Sequence, residues 1–374
     1  MLRGVHLTLL VGPAVPAPVP RELLDALTSV EVTSTAGEMS GFQISFTLNT
    51  KSVLHSAFLV AATRTPLMRM IVIVTIDSQP HVLMDGVITN QEVSAGGEPG
   101  QSALTVTGED LSKLMDLQVF DGVPYPAAPA NVRVMAIIGK YAVFGIAPVV
   151  IPPIAMDIPI PTMRIPAQQG TDLEYVLQLA EEAGYAFHVE PGPLPGVNTA
   201  YWGPQIKVGV PQPALNLDMD AHRNVEALNF KFNSAQSELP VVMVHNALTK
   251  APVPIPIPKI NPLQPPLGLF SPPVTKLSFL KATGKLSVPQ ALNEGLKAVA
   301  ESLDAVSASG SLDVSRYGRL LKARGLVGVR GAGAAFDGLY YVRSVTTTVK
   351  RGECKQSFEL TRNGLVPTTP MVPV

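Results

Sequence analysis

The sequence predicts an α+β fold, mainly β, in which two antiparallel β-rich units flank an α/β middle domain. Three observations carry this. Apolar and polar residues alternate near both ends of the chain, the period of a strand with one face on a core. Proline-rich passages separate those runs from the centre. The centre holds a capped helix with an apolar stripe, followed directly by strand. The expected units are residues 1–118, 119–222 and 223–365, with 366–374 as a C-terminal tail.

The opening MLRGVHLTLLVGPAVPAPVP reads as a first strand. Its apolar run is short, proline interrupts it, and no A-x-A cleavage site follows. In GFQISFTLNT, Phe42, Ile44, Phe46 and Leu48 share one face, while Gln43, Ser45, Thr47 and Asn49 share the other. LMRMIVIVTID and HVLMDGVITNQEV follow, with Asp85-Gly86 as a turn or bulge signal. QSALTVTGEDL adds a strand, and EDLSKLMD one or two helical turns. Together these make a small barrel or sandwich.

DGVPYPAAPANV marks the first boundary. The helix-like NVRVMAIIGKYAVFG comes next, then the proline-punctuated IAPVVIPPIAMDIPIPTMRIP. In GTDLEYVLQLAEEAGYAFHVE, Thr171 and Glu174 form a capping box, and Leu173, Val176, Leu177 and Ala180 line one face. Gly184 sits where a left-handed cap belongs, and YAFHV returns to strand.

Strand resumes at VEALNFKFN, with Leu228, Phe230 and Phe232 on one face, and continues in PVVMVHNAL. The proline-rich segment of about 252–273 is expected to be an extended, polyproline-like excursion at the surface. A second helix, about 288–306, carries a Ser287/Gln290 capping box, Pro289 in its first turn, and a stripe of Leu292, Leu296, Val299, Leu303 and Val306. LYYVRSVTTTVKRG and CKQSFELTR are two long strands joined at Arg351-Gly352-Glu353.

Composition narrows the function classes. Lys+Arg 28 against Asp+Glu 29 gives a formal charge of −1, so no basic balance points to nucleic acid or an anionic membrane surface. Charged residues make up only 15% of the chain and hydrophobic ones 46%, which suits a surface largely covered by partners. The one cysteine, Cys354, excludes an internal disulfide and fits assembly in a reducing cytoplasm. MRMIVIVTI is too short for a membrane span, and stable membrane insertion is not expected.

GLVGVRGAGAAFDGLYYV tests for a nucleotide site. Gly331 and Gly333 have the spacing of a dinucleotide fingerprint, but Phe336 occupies the third glycine position. A β-branched, aromatic strand follows where a helix is required. Asp337-Gly338 is a hairpin or bulge signal, so the stretch is expected to be a hairpin.

Other chemistry is sparse. The histidines His6, His55, His81, His188, His222 and His245 form no H-x-x-x-H or H-E-x-x-H pair. Asp218, Asp220 and His222 alternate and could coordinate a metal, although a solvated loop is the favoured reading. Glu109-Asp110 and Glu181-Glu182 lie at helix ends, where carboxylates complement a dipole or face water; nothing in the sequence unites them as a glycosidase-type pair. Cys354 is expected to be a quiet strand-end thiol, and Trp202 a core or interface residue more than a ligand platform. No catalytic residue, metal site or cofactor is assigned, and the chain is not expected to be an enzyme.

Three stretches add a resemblance. These are SALTVTGEDLSKLMD, RIPAQQGTDLEYVLQLAEEAGYAFHVE, and the long C-terminal SGSLDVSRYGRLLKARGLVGVRGAGAAFDGLYYVRSVTTTVKRGECKQSFELTRNGL. The last includes Tyr317-Gly318, the Asp337-Gly338 turn, the V-x-S-V-T strand and the terminal F-x-L-x-R. Their order resembles the late control protein D family, the baseplate hub proteins of contractile phage tails and related injection systems. A histidine often found after the S-V-T strand is replaced by Thr347.

The resemblance implies a homotrimer in which each subunit supplies two tail-tube-like antiparallel β-barrels, making a pseudo-hexameric ring. That ring would join the hexameric inner tube, or a tube-initiator protein, to a trimeric spike. With no spike β-helix, lysozyme module or peptidoglycan-binding repeat in 374 residues, the spike is expected to be a separate chain. Baseplate wedge proteins are further expected partners. The location implied is a virion tail baseplate or contractile injection particle assembled in the bacterial cytoplasm. A tail-associated cell-wall hydrolase and a peripheral receptor- or carbohydrate-binding β-protein are the rival classes.

Overall fold

β1 (His6–Gly12), β2 (Ala17–Pro18), α1 (Arg21–Asp25), β3 (Leu27–Thr35), β4 (Gly41–Thr47), β5 (Arg69–Ile76), β6 (Gln79–Ser94) and β7 (Ala103–Asp110) build the first part of the chain. The structure is a computed structural model that describes residues 5–13, 15–48, 58, 67–96, 102–153, 156–217, 223–234, 238–245, 252–257, 264–280, 288–302 and 304–369. These strands pair antiparallel in the order β3-β4-β7-β6-β5-β1-β2. Alternation in β4 places Phe42, Ile44 and Phe46 in the core, with Gln43 and Thr47 exposed.

Asp85-Gly86 is not a turn. It lies inside β6, and the β5–β6 corner is Asp77-Ser78, both with positive φ (48° and 66°). A bulge falls close by, between the Val72/Met84 and Ile73/Val82 pairs. Asp85-Gly86 marks a close approach instead: a Cβ on Gly86 would stand 2.2 Å from the Glu109 carbonyl oxygen. Gly108 is equally tight, its missing Cβ falling 2.3 Å from Phe42 Cζ.

A 3₁₀ turn over Leu111–Asp116 leads to the α/β insert of α2 (Ala130–Gly139), β8 (Ile146–Val150), α3 (Asp172–Ala183), β9 (Ala186–Pro191) and β10 (Asn198–Gly203). β10 is central, parallel to β8 and antiparallel to β9. The capping box of α3 is present in both directions, Thr171 Oγ1 accepting from Glu174 N and Glu174 Oε2 from Thr171 N, and Gly184 closes the helix at φ 67°. Leu173, Val176, Leu179 and Ala180 pack with Val134, Ile137, Phe187 and Trp202 in a core of their own. Trp202 is fully buried with the Tyr185 ring edge-on at 4.9 Å, so it is a core residue.

The remaining elements are β11 (Gln212–Asn216), β12 (Ala227–Phe232), β13 (Glu238–His245), β14 (Pro252–Pro256), β15 (Gly268–Phe270), β16 (Lys276–Phe279), α4 (Val288–Ser302), β17 (Val306–Asp313), α5 (Val314–Tyr317), β18 (Leu326–Arg330), β19 (Gly338–Lys350), β20 (Glu353–Arg362) and β21 (Leu365–Pro367). β12-β17-β20-β19 form an antiparallel ladder, and β18 pairs with the first part of β19. Gly352 (φ 75°) turns β19 into β20 as expected.

The two strand-rich regions do not form separate sheets. β3 pairs along the second half of β19, Thr35 against Ser344 through Ser29 against Lys350, so one thirteen-stranded sheet runs through both. Among the described residues no pairing closes either half on itself. The edge of β3 is free of proline and offers donors, and β19 is long enough, at 13 residues, to serve β18, β20 and β3 together. Leu9, Ile44, Val106, Val327, Val345 and Phe358 accordingly belong to one apolar cluster.

Three local expectations are corrected. The proline-rich excursion is partly a strand: Pro252–Pro256 pairs with β13, because prolines at every second position leave Val253 and Ile255 free to donate. The stripe of α4 is displaced: Ala291, Gly295 and Val299 are buried whereas Leu292 is exposed, and Val306 begins β17. Small residues win here because the helix approaches Ile257 and Val242 closely, a Cβ on Gly295 falling 2.5 Å from Ile257. Phe232 is exposed, and only Leu228 and Phe230 of its trio pack inward, Phe230 stacking on Phe336 at 4.8 Å. Ser287 and Leu303 lie outside the described residues.

Gly108→Ala is expected to destabilise the fold by about 1–3 kcal/mol, the cost of forcing a methyl into a filled core. Gly139→Ala, with nothing within 4 Å of the new Cβ, should be neutral or stabilise by a few tenths of a kcal/mol. Denaturant midpoints of the two variants against the parent chain check this contrast.

Candidate functional site

The glycine-rich stretch is a hairpin corner between β18 and β19. Gly331 and Gly333 take φ of 81° and 89°, and Phe336 and Asp337 both donate to the Gly333 carbonyl. Its polarity is opposite to that of a phosphate cradle, which presents N–H groups. Here carbonyls face inward: Arg362, buried, donates to the oxygens of Ala335, Asp337 and Gly364 at 2.7 Å each. The guanidinium also lies 4.5 Å over the Tyr340 ring. One loop N–H, that of Ala332, is taken by Asp337 Oδ1 at 2.7 Å.

The flagged carboxylates are dispersed and engaged. Asp110 is buried, accepting from Ser40 N at 2.7 Å and Ser112 N at 2.9 Å as the cap of the 3₁₀ turn. Glu109 lies 3.9 Å from Lys113. Glu181 pairs with Lys297 at 3.0 Å, and Glu182 accepts from Gln178. Asp218, Asp220 and His222 lie outside the described residues, as does His55. Among the described residues no group of three His, Cys, Asp or Glu could hold a metal.

The polar groups that the fold does concentrate hold the insert against the large sheet. Arg69 and Asp85, both buried, form a bidentate pair at 2.7 Å across β5 and β6. Asn198 of β10 donates to the same carboxylate at 2.8 Å. A second clamp centres on Arg324, a non-glycine residue at φ 63° just before β18. Its Nη1 donates to Glu190 Oε1 at 2.9 Å and its Nη2 to the Thr35 carbonyl at 2.8 Å. His188 Nε2 lies 3.2 Å from the same Glu190 oxygen, and its ring stacks on Tyr201 at 5.1 Å. Three distant parts of the chain therefore meet at one guanidinium.

Sequence reasoning left Arg69, Asn198, Glu190 and Arg324 without a role and read Asp85 only as part of a turn or bulge. For two of them a signal existed: Arg69 and Asp85, of opposite sign, stand beside the apolar stretches of β5 and β6, where burial obliges charges to pair.

A cleft of about 830 Å³ opens between the α3–β9 corner, α4 and β19. Its Glu181 and Asp304 are each taken by a lysine, Lys297 and Lys207. The arrangement neutralises charge and holds parts together; no nucleophile and base converge in it.

Electrostatics at the Arg324 clamp depends on pH. Burial lowers the His188 imidazole from its ordinary 6.5, Arg324 acting in the same direction against the pull of Glu190. Burial would raise the Glu190 carboxyl, but His188 and Arg324 outweigh it and hold it at about 2. Asp110 moves the other way, raised by burial against its hydrogen bonds. A depressed imidazole binds fewer protons folded than unfolded, so its contribution to stability is lost as pH falls below 6.5. Glu190 adds a further loss between its ordinary 4.5 and about 2, whereas Asp110 favours the fold on acidification. Stability should therefore fall as pH drops below 6.5, and His188→Phe should flatten that slope in denaturation curves.

Cys354 is buried, which pushes its thiol up to about 12. Thiol reagents at mildly alkaline pH should label it only after denaturation, as a mass-spectrometric time course would show.

No protein-family model matches the sequence, and no curated protein matches it. Solved structures do match the fold. A tail protein from Neisseria meningitidis MC58 superimposes with a TM-score of 0.62 at 12% identity, covering 97% of this chain and 98% of that one. The 43 kDa tail protein of prophage MuSo2 from Shewanella oneidensis gives 0.61 at 13% identity, over 96% and 99%. A component of the E. coli type VI secretion system, described as structurally similar to the T4 bacteriophage tail proteins gp27 and gp5, gives 0.50 at 13% identity, over 93% and 76%. Along nearly its whole length, then, the chain has the fold of phage tail proteins and of a type VI secretion component, in keeping with its resemblance to baseplate hubs.

Proposed function

We propose that the chain is a structural baseplate hub subunit of a contractile tail or injection machine, assembling as a homotrimer. Each copy contributes its two strand-rich halves to a pseudo-hexameric ring that joins the hexameric inner tube to a trimeric spike, with baseplate wedge proteins around it. The observation that carries this reading is the end-to-end likeness to tail proteins, covering both halves and the insert together. Two further features support it. One sheet holds both halves in a fixed relation through β3 and β19, which suits a load-bearing ring. Low charge suits a chain whose outer surface is covered by neighbours. The flagged carboxylates serve ion pairs and caps, which favours a non-enzymatic role over a hydrolase.

The test is stoichiometry and place. Native mass spectrometry of the purified chain should give three times the chain mass, and images of the parent particle should put the protein on the tail axis. A stable monomer at assembly concentrations, or a peripheral position, would refute the hub.

A further inference from the structure

Among the described residues Arg133 has no carboxylate partner. It sits on α2, only 7% exposed, and the one hydrogen bond of its guanidinium among those residues goes to the Tyr175 hydroxyl, 2.5 Å from Nη1. The ring of that tyrosine lies 5.8 Å from the guanidinium carbon, and Nε is buried with no acceptor. This contrasts with Arg69, Arg324 and Arg164, each paired with a carboxylate, Arg164 with Asp157 at 2.7 Å. A desolvated arginine is costly unless acceptors complete it: three carbonyls do so for Arg362, whereas a carboxylate could supply what Arg133 lacks.

Arg133 forms a wall of a cavity of about 250 Å³, shared with Met156, Arg164, Ile165 and Glu182. Neither carboxylate in the wall bonds Arg133: Asp157 pairs with Arg164, and Glu182 accepts from the Gln178 amide. The rim continues into an unusually apolar exposed segment: Met156, Ile158, Ile160, Met163 and Ile165 are each between 42% and 81% exposed. Apolar side chains in water around one desolvated cation have the composition of an interface core, where arginine acts as an anchor.

We propose that this surface receives a segment of a partner protein carrying a carboxylate side chain between apolar residues, the carboxylate entering the cavity to pair with Arg133. The charge selects the occupant. A purely apolar segment would leave the guanidinium unmatched, and a basic one would be repelled. The assignment is independent of the hub reading, since it rests on the cavity between α2, α3 and the 156–165 segment.

The probe is a fluorescein-labelled peptide, acetyl-Leu-Glu-Leu-amide, with its glutamine counterpart as control, titrated into the full chain by anisotropy. The glutamate peptide should bind at least about tenfold more tightly than the glutamine one, the value of one charge-assisted hydrogen bond. Arg133→Met should abolish that preference. Met163→Asp, at a position 81% exposed and so without effect on folding, should weaken binding of both peptides. Equal affinity for the two peptides, or a preference that survives Arg133→Met, would overturn the proposal. So would an oligomer that Met163→Asp dissolves while the peptides fail to bind, since the surface would then join copies of this chain. Trimer mass and axial position, the measurements for the hub, can fail without affecting this result.

Discussion

The pairing of β3 with β19 is the constraint on which the rest of the structure depends. More than three hundred residues of chain separate Thr33 and Thr346, yet they face each other with their hydroxyls 3.0 Å apart. Closing so long a loop costs conformational entropy before any contact is made. That entropy is offset by an uninterrupted apolar cluster on one side of the joined sheet. Without the pairing, β3 and β19 would each present a bare edge, a hazard for a chain with little surface charge to discourage edge-to-edge association. With it, the exposed ends of the ladder recede to β2, two residues long, and β12.

The insert is held to this sheet by charges, and that choice has consequences. Apolar packing tolerates sliding, whereas the Arg69–Asp85–Asn198 set demands one geometry, because any displacement strands a buried ion. Arg324 extends the same logic to its neighbours Thr35, Glu38, Ser40 and Glu190. Such a set gives the insert a fixed relation to the sheet more than it gives extra stability. Buried polar clamps supply that fixity, and they explain why a chain so poor in charge places several of its charges in the interior.

The same economy extends to other carboxylates among the described residues: Asp110 accepts from two backbone N–H groups, and Glu181 and Asp304 are each paired with a lysine. The glycine-rich corner directs carbonyls towards Arg362, the opposite polarity to the N–H groups that a phosphate requires. Arg133 has no carboxylate partner among the described residues, and it lies beside an exposed segment rich in apolar side chains.

What could be read from the amino-acid order alone was whatever depends on short range. The alternation of Phe42, Ile44 and Phe46, the Thr171/Glu174 box with Gly184, and the Gly352 corner are set by steric and hydrogen-bonding rules spanning a few residues. The hairpin at Asp337-Gly338 was legible for the same reason, since the strand after it forbids a helix. Long-range choices were hidden. Nothing local distinguishes β3 as the partner of β19, and no periodicity shows that Ala291 and Gly295 face inward ahead of Leu292, because that depends on how close Ile257 comes. Prolines at 252, 254 and 256 suggested a chain excluded from sheets, until β13 supplied an edge that needs donors only from the residues between them. The clamps were visible only as isolated charges in apolar runs; their partners lie 16 residues away for Arg69 and 134 for Arg324. Burial makes such pairing compulsory, but only the tertiary structure decides which residues meet, because the free energy of a buried charge depends on what the fold brings within hydrogen-bond reach.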